Sequence, residues 1–127
     1  MSDQAIQEWT MLRKLALLTF YAEAKGIRFN LTEFHRTPEN QAERYAQGRT
    51  KPGNIITNCD GVHSHSRHEF WEAADIVIVM DDGRRTLDPI PEYTILGEIW
   101  EQIGGTWGGR WFLDGKTTFN DIYHFEI

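Results

Sequence analysis

Residues 73–80 read AADIVIVM, an apolar run rich in β-branched side chains, and the turn residues Asp82 and Gly83 follow it. A short run of this composition predicts a buried strand, and an Asp-Gly pair is typical of the turn after a strand. The run also contains a carboxylate, Asp75. Burying a carboxylate is costly unless it is paired or bound to a metal. Asp75 is therefore expected to bind a metal, cap a turn or pair with an arginine.

Helical and extended patterns surround this strand without regular alternation. Apolar residues recur at helical spacing in the first and third predicted helices, and Thr37 followed by Pro38 is typical of a helix start. Helices are expected at residues 2–24, 38–47 and 91–103, and strands at residues 27–34, 73–80 and 123–127. This order predicts an α+β fold: a single small domain over residues 1–127, with a mainly antiparallel sheet packed by helices.

The composition argues against several classes of protein. The net charge of −6 and the scattered basic residues do not suit a nucleic-acid binder, which needs Lys and Arg to neutralise phosphates. Cys59 is the single cysteine, so no intrachain disulfide can form. No apolar run approaches the roughly 20 residues that cross a bilayer, and residues 1–9 lack the pattern of a signal peptide. Synthesis in the cytoplasm without membrane insertion is expected.

Histidines cluster just before the central strand, at His63, His65 and His68, within or after a polar loop predicted over residues 48–66. A loop of this length in a compact domain is often functional. A catalytic zinc takes about three nitrogen or oxygen ligands and keeps one position open for water. His68 and Asp75 suit such a site. His63 and His65 are expected to be exposed loop histidines, to line the cleft, or to form a rival site with His68.

A second group of polar residues lies near the C-terminus, where Asp121 precedes His124 by three residues. If His124 binds the metal, a turn between the two brings Asp121 close to the hydrolytic water, where a carboxylate acts as general base. Glu126 lies two residues beyond His124 and therefore on the same face of a strand. Glu126 is expected either to hydrogen-bond to His124 or to be solvated.

Two motifs together resemble the M15 family of zinc peptidases: Ser-x-His-x-x-x-x-Ala-x-Asp at residues 66–75 and Asp-x-x-His at residues 121–124. That family includes D-alanyl-D-alanine carboxypeptidases and dipeptidases, and L-alanyl-D-glutamate endopeptidases of bacteria and phages. Residues 33–41 and 45–58 resemble the endopeptidase branch in particular. The resemblance covers the chain from about residue 31 onward and implies a Hedgehog/D-Ala-D-Ala peptidase-like fold.

The resemblance implies a role for each residue that matches a motif. It implies that His68, Asp75 and His124 bind Zn²⁺ and that Asp121 is the general base. It also implies that Arg36 stabilises an oxyanion or holds a substrate carboxylate, which suits a planar, two-pronged donor.

Ser66 and Trp71 occupy the remaining positions of the first motif. Ser66 matches a motif serine that is expected to hydrogen-bond to a ligand or to the substrate. Trp71 stands where the family usually has glycine, three residues after the first histidine ligand. This departure concerns the fit of the substrate more than the metal, because all of the expected ligands are present.

The function expected from these features is hydrolysis of the L-alanyl-D-glutamate bond in the stem peptide of peptidoglycan by a zinc peptidase, as in a small phage lysin released by a holin. One alternative is a D-alanyl-D-alanine carboxypeptidase or dipeptidase. Another is a non-catalytic, zinc-stabilised module that binds the cell wall. The expected partner is peptidoglycan, without nucleic acid, and the chain is expected to be a monomer.

Overall fold

The computed structural model describes residues 4–62, 67–70 and 72–127. Over these residues the chain forms helices and strands that alternate irregularly. The α-helices are α1 (Gln4–Ala24), α2 (Pro38–Ala46), α3 (Pro91–Gln102) and α4 (Gly108–Leu113), and a 3₁₀ helix spans Arg67–Phe70. The strands are β1 (Arg28–Glu33), β2 (Ala73–Val79), β3 (Arg85–Thr86), β4 (Thr106–Trp107) and β5 (His124–Glu126).

The central strand of the sheet is β2, and every strand pair is antiparallel. One edge of β2 pairs along its length with β1. The other edge is divided, since its first residues pair with β5 and its last residues pair with β3. The remaining strand, β4, pairs with the far side of β5. The prediction of an α+β fold with an antiparallel sheet is therefore confirmed.

The core forms where α1 and α3 pack on the sheet. Trp100 of α3 is fully buried, packs edge to face against Phe125 of β5, and donates a hydrogen bond of 2.8 Å from its indole to the carbonyl of Glu126. Trp107 of β4 is also buried, and its indole donates to the carbonyl of Ile122 at 2.9 Å. These two tryptophans fix the last strand, and the turn before it, from the core side.

The predicted elements lie where the pattern placed them, with ends that coincide or differ by one residue, apart from residues 2 and 3 of the first helix, which lie outside the described residues. Thr37 caps α2 as expected, because its hydroxyl accepts from the backbone N–H of Asn40 at 3.2 Å. Four elements were not predicted: the 3₁₀ helix Arg67–Phe70, β3, β4 and α4. The two strands are two residues long, too short to show alternation, and α4 begins with two glycines, which are poor helix formers.

Helix α1 lies where the helical spacing of its apolar residues predicted it. That spacing did not specify which of these residues the core covers. The structure buries Met11, Leu15, Leu18 and Ala22 and leaves Ile6, Trp9 and Leu12 exposed. Among the described residues, none of the helices has both the length and the apolar content needed to cross a membrane.

The buried hydroxyl of Tyr93 joins α3 to strands β2 and β3. Removing this hydroxyl tests how much the contact stabilises the fold. Tyr93 accepts a hydrogen bond from the N–H of Ile78 at 3.0 Å and donates one to the carbonyl of Thr86. We expect Tyr93→Phe to lower the free energy of unfolding by about 1–3 kcal/mol, since both backbone groups lose a buried partner. Tyr21→Phe, on the exposed side of α1, is the matched control. Equal denaturation midpoints for the two variants in urea would contradict this account.

Candidate metal centre

Asp75 and His124 face each other across the sheet. Asp75 is the third residue of β2, His124 is the first residue of β5, and the antiparallel register pairs them directly. Opposed residues in an antiparallel pair have side chains on the same face with Cβ atoms about 4.5–5.5 Å apart. His68 reaches the same point from the 3₁₀ helix Arg67–Phe70. Residues far apart in sequence thus meet at one edge of the sheet.

The possible ligand atoms of these three residues lie close together. His68 Nε2 is 3.1 Å from Asp75 Oδ1 and 3.1 Å from His124 Nδ1, and the latter two atoms are 4.0 Å apart. Ligands about 2.0–2.1 Å from a tetrahedral zinc are separated from each other by roughly 3.3 Å. Two imidazole nitrogens and one carboxylate oxygen at this spacing fit a zinc-like divalent ion. His68, Asp75 and His124 therefore form a candidate metal site.

Glu126 fixes the orientation of His124. The Nε2 atom of His124 lies 2.7 Å from Glu126 Oε1, so this nitrogen donates and Nδ1 carries its lone pair toward His68 and Asp75. A carboxylate on the remote nitrogen of a ligand histidine sets its tautomer and raises its basicity. Burial lowers the pKa of His124, but the hydrogen bond to Glu126 and the surrounding carboxylates outweigh burial and raise it.

His68 and Asp75 are in the protonation states that a metal requires. Burial lowers the pKa of His68 and outweighs the hydrogen bond and charge of Asp75, so the imidazole is neutral. Burial raises the pKa of Asp75, but the hydrogen bond from His68 and the charges around it hold the pKa below the ordinary value. A neutral imidazole and an ionised carboxylate are the forms that bind cations.

Arg36 holds the second oxygen of Asp75. Its Nη2 lies 3.4 Å from Asp75 Oδ2, while Oδ1 of the same carboxylate faces the histidines. The guanidinium also donates from Nε and Nη2 to Glu33 at 2.7 and 3.0 Å and from Nη1 to Gln41 at 2.7 Å. The side chain is 6% exposed. These bonds and the contact with Asp75 use four of the five N–H groups, so most of the guanidinium positions protein side chains.

Glu33 keeps Arg36 in place and also receives Arg44, whose Nη2 donates to Glu33 Oε2 at 2.7 Å. Burial raises the pKa of Glu33, but the hydrogen bond from Arg36 and the charges of both arginines outweigh burial and lower it. The carboxylate is therefore ionised at neutral pH. The order of contacts runs from Arg44 through Glu33 and Arg36 to Asp75.

Gln41 connects this network to the long loop. It is completely buried on α2, and its amide nitrogen donates to the hydroxyl of Thr57 at 3.0 Å and to the carbonyl of Cys59 at 2.8 Å. Its amide oxygen accepts from Arg36. One side chain thus positions both the arginine that supports Asp75 and a wall of the cleft.

Asp121 begins the turn that delivers His124, since its carbonyl accepts from the backbone N–H of His124 at 3.1 Å. Gly108 packs against this turn. A Cβ atom at Gly108 would lie 2.9 Å from the Cβ of His124 and would collide with the carbonyl of Asp121. Glycine is therefore required at position 108 for the start of α4 to approach the turn.

The carboxyl group of Asp121 lines the same cleft as the three candidate ligands. Burial raises its pKa to about 6, the interactions with His124 and Arg36 oppose this, and the carboxylates Asp75 and Glu126 add to it. A carboxylate with a pKa near neutrality is suited to accept and return a proton.

The cleft has a volume of about 540 Å³, within the range of small-molecule and peptide sites. Trp111 forms one wall, with its ring centroid 5.3 Å from that of His124. Ile56, Thr57 and Asn58 of the long loop line it as well.

A family model agrees with this arrangement. The model Peptidase_M15_4, described as D-alanyl-D-alanine carboxypeptidase, matches residues 60–127, more than half of the chain and all three candidate ligands. The chain belongs to the M15 metallopeptidase family. The resemblance inferred from the two motifs is thereby confirmed.

Individual proteins are similar to this M15 chain. Peptidoglycan L-alanyl-D-glutamate endopeptidase CwlK of Bacillus subtilis is 33% identical over 114 residues, which cover 84% of this chain and 64% of CwlK. The FAD-dependent monooxygenase cle3 of Aspergillus versicolor is 33% identical over 82 residues, 57% of this chain but 17% of cle3. The crystal structure of the Serratia marcescens L-Ala D-Glu endopeptidase ChiX aligns with a TM-score of 0.63 at 21% identity, covering 93% of this chain and 77% of ChiX. ChiX thus shares the fold.

Two residues of the first M15 motif, Ser66 and Trp71, lie outside the described residues. The same holds for His63 and His65, which precede the motif. The roles expected for them stay predictions, including the effect of Trp71 in place of the usual glycine.

Glu33, Gln41 and Gly108 are residues of this M15 site whose roles the sequence analysis did not identify. Glu33 and Gln41 were noted only as part of a resembling segment, and Gly108 was not singled out. The available signal was the spacing Glu33-x-x-Arg36, which places an acid at the end of a strand and a base just beyond it. Such spacing is common on protein surfaces, so only the tertiary structure identifies the ion pair as part of the site.

Replacement of Glu33 tests whether this network supports the site. We expect Glu33→Gln to weaken Zn²⁺ binding about 10–100-fold, because Arg36 is released and Asp75 loses its orientation. We also expect a loss of about 1–3 kcal/mol in the free energy of unfolding of the metal-free chain. Isothermal titration and urea denaturation measure these effects, with Glu98→Gln on the exposed side of α3 as the control.

The pH dependence of that stability loss has a definite sign. The pKa of Glu33 is lower in the folded chain than its ordinary value of 4.5. Its stabilising effect is therefore fully present above pH 4.5 and is lost as the pH falls through the lowered pKa. The difference in unfolding free energy between wild type and Glu33→Gln should shrink in that acidic range. A difference that stays constant down to low pH would contradict an ionised Glu33.

Proposed function

We propose that this chain is a zinc peptidase that hydrolyses the L-alanyl-D-glutamate bond in the stem peptide of peptidoglycan. The observation that carries the proposal is a site with two imidazole nitrogens and one carboxylate oxygen at metal-binding spacing, with Asp121 lining the same cleft. The choice of bond rests on the similarity to CwlK, which is named for this activity and of which the chain spans 64%.

His68, Asp75 and His124 would hold a divalent cation, which would polarise a substrate carbonyl and lower the pKa of water. Asp121 accepts the proton of the attacking water on its carboxylate and returns it to the nitrogen of the leaving amine. Its raised pKa suits both transfers, because neither the ionised nor the protonated form is strongly disfavoured. Glu126 and Arg36 keep His124 and Asp75 in orientation.

Two arginines that line the cleft suit a substrate with free carboxylates, beside the acidic side chains of Asp75, Asp121 and Glu126. Arg44 and Arg67 both line the cleft and are about half exposed, and each forms ion pairs with glutamates that keep it there. Glutamate has two carboxylates, of which one enters the peptide chain and the other stays free. Complementary charge of this kind favours an acidic peptide over a neutral one.

A second candidate is cleavage of a terminal D-alanyl-D-alanine bond, which the description of the matching family model favours. Such a substrate also carries a free carboxylate, so the charge of the cleft suits both bonds. We place the reaction at the bacterial cell wall, with holin-mediated release as the proposed route to it.

Replacement of Asp121 tests the proposed chemistry. We expect Asp121→Asn to retain Zn²⁺ affinity and to lower kcat/KM on purified muropeptides about 10²–10⁴-fold, since the proton acceptor is lost while the ligands remain. Asp114→Asn, at an exposed carboxylate beyond α4, should leave both values unchanged. A large loss of Zn²⁺ from Asp121→Asn would mark Asp121 as a ligand and contradict its role as base.

The products of the same digestion identify the bond. Mass spectrometry should find peptides that begin with D-glutamate, and both chelation of the metal and Asp121→Asn should abolish them. A product that lacks only the terminal D-alanine would establish the carboxypeptidase instead. Binding of zinc-loaded protein to peptidoglycan without new amino groups would establish the non-catalytic wall-binding module.

A further inference from the structure

The outward face of α1 is apolar and exposed. Its large side chains show between 44% and 70% of their surface: Ile6, Trp9, Leu12, Leu17, Phe20 and Tyr21. The opposite face of the same helix is buried in the core through Met11, Leu15 and Leu18. A helix that is apolar on all sides is normally covered on all sides. Within the described residues, nothing covers this face.

The spacing of these residues is that of a helix-pairing seam. Ile6, Trp9, Arg13, Ala16 and Phe20 follow one another in steps of three and four residues and are all exposed. Alternating steps of three and four keep side chains on the line along which two helices pack as a coiled coil. We call these five residues the α1 seam.

We propose that a second copy of this chain covers the α1 seam, with the two α1 helices antiparallel about a two-fold axis near residues 14 and 15. In this pairing Trp9 of one copy lies opposite Phe20 of the other, and Arg13 lies opposite Ala16. A parallel pairing would instead place the two Arg13 side chains opposite each other, and like charges in contact are destabilising. The small side chain of Ala16 also leaves room for the long side chain of Arg13.

The two ends of the seam complement each other in the antiparallel arrangement. A shallow pocket at the C-terminal end of α1 is lined by Tyr21, Ala24, Lys25, Ile99, Gln102 and Ile103. The antiparallel partner would place its exposed Ile6 beside this pocket, and the two-fold axis repeats the contact at the other end. Ile6 of each copy thus lies beside the pocket of the other copy, as the two-fold symmetry of an isologous interface requires.

The exposed apolar area is a large part of what a specific dimer needs. An aromatic side chain buries roughly 150–250 Å². At the exposures observed, the apolar side chains on or next to the seam, Ile6, Trp9, Leu17 and Phe20, together offer roughly 500 Å² per copy. A specific interface of standard size buries about 800 Å² per partner, so these four side chains supply more than half of that area.

Charge favours a second copy over a lipid surface. Helices that lie on membranes have polar faces rich in Lys and Arg, whereas the α1 seam contains one basic residue, Arg13. The net charge of −6 would also repel an anionic bilayer. The same net charge opposes dimerisation at low ionic strength, so added salt should strengthen the dimer by screening.

The dimer would leave the cleft open, because no residue of α1 lines it. The proposed dimer is independent of the proposed enzymatic function, so a failure of one does not affect the other. A dimer would differ from the monomer expected from the sequence.

Sedimentation velocity of the zinc-loaded chain over a concentration series tests the proposal. We expect wild type to form a dimer that strengthens with salt, and the variant Trp9→Glu with Phe20→Glu to sediment as a monomer with unchanged muropeptide cleavage. Leu113→Glu is the control, because Leu113 is 61% exposed on α4, away from the seam. It should remain a dimer. Circular dichroism and the unfolding midpoint verify that both variants are folded.

Several outcomes would overturn the proposal. A wild type that is monomeric throughout the series would do so, as would a dimer that survives the double substitution. Monomeric wild type that floats with phosphatidylcholine vesicles would assign the face to lipid instead.

Disulfide cross-linking tests the direction of the helices. In a Cys59→Ser background, the variant with Trp9→Cys and Phe20→Cys should form covalent dimers on oxidation, because these positions face each other between copies. Trp9→Cys alone should not, since the two copies of position 9 lie far apart along antiparallel helices. Cross-linking of Trp9→Cys alone would show a parallel pair and refute the antiparallel arrangement.

Discussion

The antiparallel contact between Asp75 and His124 is the constraint on which the site depends. The register of β2 and β5 sets these residues opposite each other, and a slip of one residue would turn Asp75 toward the other face. Trp100 and Trp107 hold β5, and the turn before it, in this register through bonds to the backbone. The core thus supports the site by fixing a strand register as well as by burying apolar area.

The position of Asp75 in an apolar strand creates an electrostatic cost that the surrounding residues offset. A buried carboxylate is strongly unfavourable unless it is paired. Arg36 and His68 pair with its two oxygens, and Glu33 in turn balances the charge of Arg36. This sequence of contacts leaves one carboxylate oxygen directed to the histidines. The network that allows the charge to be buried therefore also orients it for a cation.

The sequence was most informative where a short pattern determined a structure locally. The run at residues 73–80 predicted β2, the pair Thr37 and Pro38 predicted the start of α2, and both are observed. The two motifs predicted which residues meet at the candidate metal site, although they lie on separate elements. The supporting contacts of Glu33 and Gln41 could not be predicted, because they depend on how α2 and the long loop pack. The exposed face of α1 escaped notice because periodicity identifies an apolar residue but not the face that the core covers.

X-ray absorption of the zinc-loaded chain at the zinc edge tests the central claim most directly, because it counts the ligands and identifies their elements. The account predicts a shell of nitrogen and oxygen atoms in which the scattering of two imidazoles is resolved, from His68 and His124. Loss of one imidazole in His124→Ala should accompany weaker binding. A sulfur ligand from Cys59, or three imidazoles through His63 or His65, would contradict the site formed by His68, Asp75 and His124.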